Sequence, residues 1–191
     1  MKKLLWLLLL LAFCLTACRA LPRQTDAADE AILRLVALYE EDGALKLVGM
    51  TAATKSDNTD TPPERVEGTG KDYFSARDDA ERERQVSFAH ATDWLVERDV
   101  LPLALDAFAE DSELTYDAHI YIIEDAAGFL DDLKDPVKAL DDLSRGLDKK
   151  ATTALELSRA LAAGEGCTVP VIEAEEEDAD VKEEVTVWNW K

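Results

Sequence analysis

The sequence predicts an α+β fold in which a central mixed β-sheet, opened by a β-hairpin, is packed with helices. Three observations predict it. Two apolar runs meet at Glu41-Asp42-Gly43, and Asp-Gly between such runs is the composition of a tight hairpin turn. The run ELTYDAHIYIIED places Leu114, Tyr116, Ala118, Ile120 and Ile122 on one face. Tyr121 and Ile123 make its second face apolar too, as a strand in the interior of a sheet requires. Finally, Asp135-Pro136 opens a stretch with Val137, Leu140, Leu143 and Leu147 at helical spacing. Strand pair, helix, strand, helix, strand, helices is the order of a layered sheet-and-helix domain without internal repeats.

Taken in order, strands are predicted at residues 31 to 40 and 44 to 52. Residues 53 to 70 read as a polar loop with two prolines and two glycines. KDYFSARDDAERER, residues 71 to 84, is a surface helix that offers Tyr73, Phe74, Ala76 and Ala80 to the core. VSFAHATDWLV alternates, with Val86, Phe88, His90, Thr92 and Trp94 on one face, and predicts a strand. Asp99 is the predicted cap of the next helix, with Pro102 in its first turn and Leu101, Leu105 and Phe108 on one side. A helix over residues 150 to 163 stops at Gly164 and Gly166. EAEEEDADVKEE, residues 173 to 184, reads as a solvated acidic linker. Residues 185 to 191, VTVWNWK, then form a terminal strand with Trp188 and Trp190 on one face.

The first 17 residues read as a signal. Lys2 and Lys3 precede an uncharged run from Leu4 to Ala17, too short for the roughly 20 residues of a bilayer-crossing helix. Leu15-Thr16-Ala17-Cys18 sets small residues before a cysteine, as in a bacterial lipobox. Cys14 follows Phe13 and lacks that context. Cys18 is therefore the expected lipidation site, carrying a diacylglyceryl group after cleavage before it. Two acyl chains at about 0.8 kcal/mol per buried CH₂ anchor a protein stably. Residues 18 to 29 form a tether interrupted by Pro22, and residues 30 to 172 form the main domain.

Composition narrows the function. Removing Lys2 and Lys3 with the signal leaves 19 basic residues against 41 acidic ones, a net charge of −22. Nucleic acid is excluded as a partner, because phosphate neutralisation needs clustered Lys and Arg. Anionic headgroups repel such a body as well, so it is expected to stand off the membrane, with Arg19 and Arg23 as its nearby cations. With Cys14 removed and Cys18 lipidated, Cys167 has no intramolecular partner and the fold is expected to be free of disulfides.

No catalytic, cofactor or metal site is expected. His90 and His119 are the two histidines, each on a predicted strand and without a third ligand at metal spacing. Gly68-Thr69-Gly70-Lys71 fails the phosphate-loop pattern, since Arg65 stands at the first glycine position and Asp72 follows the lysine. The pairs Asp78-Asp79, Asp131-Asp132 and Asp141-Asp142 lack a calcium-loop frame. No G-x-S-x-G is present, and Cys167 has no basic neighbour in sequence to lower its pKa.

Several segments together resemble a known family. A lipobox cysteine is followed by AILRLVALYEEDGALKLVGM, then VEGTGKDYFSA, RQVSFAHATDWLV, VLPLALDAFAED and ELTYDAHIYIIED. In this order they resemble the N-terminal domain of the Ger(x)C spore-germination lipoproteins, the C subunits of nutrient germinant receptors. The strongest matches are SFAH and LPLALDAFAEDSELTYDAHIYI. The likeness covers about residues 30 to 125, and ALELSRALAAGEGCTVPVIE is weakly similar to the next family segment. Family members usually continue through further domains, and many begin with a Trp-Asp-x-x-Glu-like stretch that is not found after Cys18. The resemblance implies a non-enzymatic lipoprotein on the extracytoplasmic face of the membrane, the inner membrane in a spore. Its implied partners are multi-pass receptor subunits. The other reading open to the sequence is a solute-binding or envelope-assembly lipoprotein. For a partner surface, Val86 to Leu105 is poor in acid and holds Phe88, Trp94, Leu101 and Leu103.

Overall fold

The computed structural model describes residues 31–56, 59–111, 114–147, 151–175 and 178–188. Strand β1 (Ala31–Glu41) and strand β2 (Ala44–Thr51) pair antiparallel with Glu41 opposite Ala44. The turn between them has Asp42 at φ 53° and Gly43 at φ 76°. Both values lie in the left-handed region, which Gly enters freely and Asp tolerates, so the Asp-Gly pair fixes the hairpin. A bulge between Leu33 and Leu35 flips the alternation, sending Leu33 to one side of the sheet and Leu35 to the other. Gly49 leaves room for the displaced Leu33, since a Cβ there would meet the Leu33 side chain at 2.6 Å.

The predicted loop at 53 to 70 is partly strand. Thr54–Ser56 (β3) and Thr59–Thr61 (β4) form a small separate hairpin, and β5 (Arg65–Gly70) joins the main sheet beside β2. Its glycines fit there because helix α1 (Tyr73–Glu83) lies almost on the strand backbone. A Cβ at Gly68 would stand 2.6 Å from the Ala80 nitrogen. Asp72 caps α1 in a reciprocal box with Ser75. Tyr73, Ala76 and Ala80 are buried as expected, whereas Phe74 turns outward and is 41% exposed.

The alternating stretch VSFAHATDWLV is two strands, β6 (Val86–Ser87) and β7 (Asp93–Glu97), both parallel to β1. Ile32 faces Ser87 and Leu35 faces Asp93, so three residues of β1 are matched by six. The surplus loops out, burying Phe88 and Ala91 and leaving His90 exposed in the loop. A 3₁₀ turn (Arg98–Val100) leads into α2 (Leu101–Glu110), so Asp99 sits inside the turn and Val100, without a side-chain bond, is the cap residue. Strand β8 is confined to His119–Ile123, because Thr115 and Ala118 close a turn before it. It lies between β7 and β9 (Cys167–Glu175), in the sheet interior as its two apolar faces require.

Helix α3 (Ala126–Asp132), absent from the sequence expectation, is capped by Asp125. Helix α4 (Pro136–Gly146) begins at the predicted Asp135-Pro136 cap, and α5 (Ala154–Ala163) ends at Gly164 with φ 71°. The predicted acidic linker is instead the end of β9 and most of β10 (Asp178–Val187), which pair antiparallel. β10 is an edge strand. Its mostly exposed, charged side chains keep that edge from recruiting another strand.

The sheet order is β10-β9-β8-β7-β1-β2-β5, with β6 beside β1. The block β9-β8-β7-β1 is parallel and its flanks are antiparallel, a mixed sheet as predicted. One face carries Val36, Leu38, Trp94, Ile120 and Val171 under α1, α2 and α5. The other carries Leu35, Leu95, Tyr121 and Ile172 under α3 and α4.

Candidate functional site

The parallel register gives the sheet two distinct ends. At the N-terminal ends of the strands, Leu35, Asp93 and His119 stand side by side on β1, β7 and β8. Asp93 is almost wholly buried. Its Oδ1 lies 3.2 Å from His119 Nδ1, and its Oδ2 accepts the Thr92 hydroxyl at 2.7 Å. The Thr92 oxygen is also 3.2 Å from the Arg34 carbonyl, but its single proton serves the shorter, charge-assisted bond. Tyr121 packs edge-on to the imidazole. Burial, then the carboxylates of Asp93 and Asp141, push the Tyr121 phenol well above its usual range.

An imidazole oriented by a buried carboxylate is the base half of a nucleophilic site. The other half is not assembled around it. Among the described residues the His119 Nε2 makes no hydrogen bond, and Cys167 points into the opposite face of the sheet. His119 also bridges to Thr153, which caps α5 through Glu156. The pair thus fastens the start of β8 to β7 and to the head of α5.

At the C-terminal ends of the strands a cleft of about 210 Å³ opens beside Glu124, Asp125, Phe129, Asp132, Glu173 and Lys182. Open sheets with parallel strands bind ligands at this end. Here, however, the cleft's ammonium is already paired with Glu173 at 3.0 Å, and the volume is below that of a drug-sized site.

Several of the remaining sequence candidates have structural employment. Gly68 and Gly70 seat α1, and the Thr69 N–H donates to Asp79 at 3.0 Å. Asp131 pairs with Arg65 at 2.8 Å, Asp142 with Lys138 at 2.6 Å, and Asp141 with Arg145 at 3.6 Å. Among the described residues no group of three His, Cys, Asp or Glu is arranged for a metal ion, and no helix is long and apolar enough to cross a membrane. Cys167 opens β9 half-buried; burial, then the Glu156 charge, push its thiol up. Of the four residues offered by the acid-poor partner segment, Phe88, Trp94 and Leu101 are core residues, and Leu103, 50% exposed, is the one that meets solvent. Cys18 and Trp190 lie outside the described residues.

Sequence reading missed a polar brace between α1 and α2. Asp111, at the end of α2, accepts the Tyr73 hydroxyl at 2.6 Å and the Arg77 guanidinium at 2.9 Å. Arg77 also lies over the Phe88 ring, 4.9 Å from its centroid. No spacing rule links positions 34 residues apart.

Comparison with protein-family models, curated proteins and solved structures finds no match.

Proposed function

We propose that this chain is a membrane-anchored, non-enzymatic lipoprotein related to the Ger(x)C subunits of nutrient germinant receptors. In this reading Cys18 carries the diacylglyceryl anchor and the domain sits on the extracytoplasmic face, against the inner membrane in a spore. It acts by holding multi-pass receptor subunits through protein–protein contact. The observation that carries the reading is the ordered series of segments from the lipobox through LPLALDAFAEDSELTYDAHIYI.

The placement of those segments supports it. VEGTGKDYFSA is β5 running into α1, and LPLALDAFAEDSELTYDAHIYI runs from α2 into β8. Tyr73 and Arg77 on the first element meet Asp111 on the second. The quoted residues are therefore parts of one packed unit.

Mass spectrometry of the membrane fraction tests the anchor. The expected N-terminus is Cys18 with diacylglycerol, and Cys18→Ala should block processing or release the chain. An unmodified mature N-terminus recovered from the medium would refute it.

A further inference from the structure

Arg34 Nε, Trp94 Nε1 and Tyr121 Oη are buried side-chain atoms with no hydrogen-bond partner among the described residues. Such atoms are rare in folded chains, because an unpaired buried group forfeits the bonds it made to water. Trp94 stands apart, on the face under α1, α2 and α5, where its ring meets that of Phe108 edge-to-face at 5.1 Å. The other two belong to one place, where the N-terminal ends of the strands meet α4.

The strand register brings them there. Leu35, Asp93 and His119 are neighbours across β1, β7 and β8, and Leu35 and Tyr121 lie on the face that α4 covers. Tyr121 follows His119 by two residues, so the two side chains share that face. Arg34 arrives from β1, with a terminal nitrogen 4.0 Å from Asp141 Oδ1 on α4. Burial, and after it the charges of Asp93 and Asp141, raise the Tyr121 phenol, so the carboxylate that Arg34 faces is also a neighbour of Tyr121.

Direct bonds do not close this cluster. Asp93 is already engaged, by the Thr92 hydroxyl at 2.7 Å and by His119 at 3.2 Å. Asp141 stands 4.0 Å from Arg34 and 3.6 Å from Arg145, both longer than a hydrogen bond. What remains defines what fits: Arg34 Nε donates a proton, Asp141 accepts one, and Tyr121 Oη does either. A cation would face the guanidinium, and an anion would face two carboxylates. The group that completes the cluster is therefore neutral and both donates and accepts. It is also small, since Tyr121 is 0% exposed and Asp93 3%.

We infer that one buried water bridges Tyr121 Oη, Arg34 Nε and the Asp141 carboxylate, and pins α4 to the N-terminal ends of β1 and β8. Three polar partners is the usual coordination of a buried water. The rest of this contact is apolar, with Leu35 and Leu95 of the sheet in one cluster with Val137 and Leu140 of α4. Apolar packing is non-directional, so the bridge is what fixes the position of α4 along the strands.

The test compares the full chain with Tyr121→Phe, Arg34→Met and the double variant by urea unfolding, and locates solvent in a crystal structure at a resolution that shows ordered water. The two states of the phenol predict opposite signs. Removing an unpartnered buried hydroxyl leaves stability unchanged or raises it, whereas removing one bonded to water should lower the folding equilibrium constant about fivefold. In the Arg34→Met background that loss should shrink, because the two residues act through the same water. Electron density for a water within about 3.2 Å of both Tyr121 Oη and Arg34 Nε is the expected observation. A Tyr121→Phe chain as stable as wild type or more so overturns the inference. So does density in which the Tyr121 hydroxyl has no water beside it or bonds a carboxylate directly.

Discussion

Gly68→Ala should pry α1 from the sheet. A Cβ at Gly68 would stand 2.6 Å from the Ala80 nitrogen and 2.9 Å from the Ala80 Cβ, and closer still to the Ala76 carbonyl oxygen. Ordinary contact begins at 3.4 Å, so the helix must retreat by at least the 0.8 Å difference. None of these atoms belongs to a side chain that can swing aside. A gap of about 0.5–1 Å forfeits a quarter to a half of each dispersion well along the contact. Tyr73, Ala76 and Ala80 lose that packing together, which sets the cost at about 3 kcal/mol, the upper end for an overpacked core. With a urea m-value of about 2 kcal/mol/M, the unfolding midpoint of residues 19 to 191 falls by about 1.5 M. Gly146→Ala is the control. Nothing lies within 4 Å of its added carbon and the residue is helical, so the midpoint should rise by the equivalent of about 0.5 kcal/mol. A Gly68→Ala protein that unfolds at the wild-type midpoint would refute the close-approach account of this motif.

Three further outcomes follow from the polar groups. Arg77→Met removes the guanidinium that pairs with the Asp111 side chain, 3% exposed, and should cost about 3 kcal/mol, while Tyr73→Phe should cost about 1 kcal/mol, both read by urea unfolding. Burial is the main cause raising the Glu97 carboxyl, partly offset by N–H donors from Glu40 and Ala126. The folded state therefore holds that proton to higher pH than the unfolded chain, and Glu97 costs stability as pH rises through the upper carboxylate range. Glu97→Gln should gain on wild type between about pH 4 and about pH 7; a gain already complete at the acid end would contradict the sign. At mildly alkaline pH the raised thiol of Cys167 should alkylate more slowly than free cysteine, and a burst at the free-thiol rate would contradict the burial and Glu156 effects.

Legibility followed the distance over which each signal acts. Asp42-Gly43, Asp135-Pro136 and Gly164 act within one turn, and each marks the hairpin, helix start or helix stop expected from it. Tyr121 and Ile123 also told truly that β8 is interior. Signals that depend on partners were misread. Arg65–Gly70 resembles a loop by composition, yet its glycines are what admit α1. Residues 173 to 184 carry the charge of a linker, but an edge strand can expose carboxylates along most of its length and still pair on one side. The alternation from Val86 to Trp94 is real, but pairing with β1 breaks where six residues must match three. At the strand ends, both histidines were recognised, but Asp93 was hidden inside an apolar run and its bond to His119 depends on parallel pairing. The Asp111 brace is equally non-local.

The most direct test of the proposed function is affinity recovery of the tagged, lipidated chain from membranes solubilised in mild detergent, followed by protein identification. The account predicts that a multi-pass receptor subunit co-purifies, and that it still does so when Leu103, the exposed apolar residue of the acid-poor segment, is retained but is lost or reduced with Leu103→Asp. Recovery of no integral membrane partner, together with calorimetric binding of a small solute by the same preparation, would contradict the receptor-subunit reading in favour of a solute-binding lipoprotein.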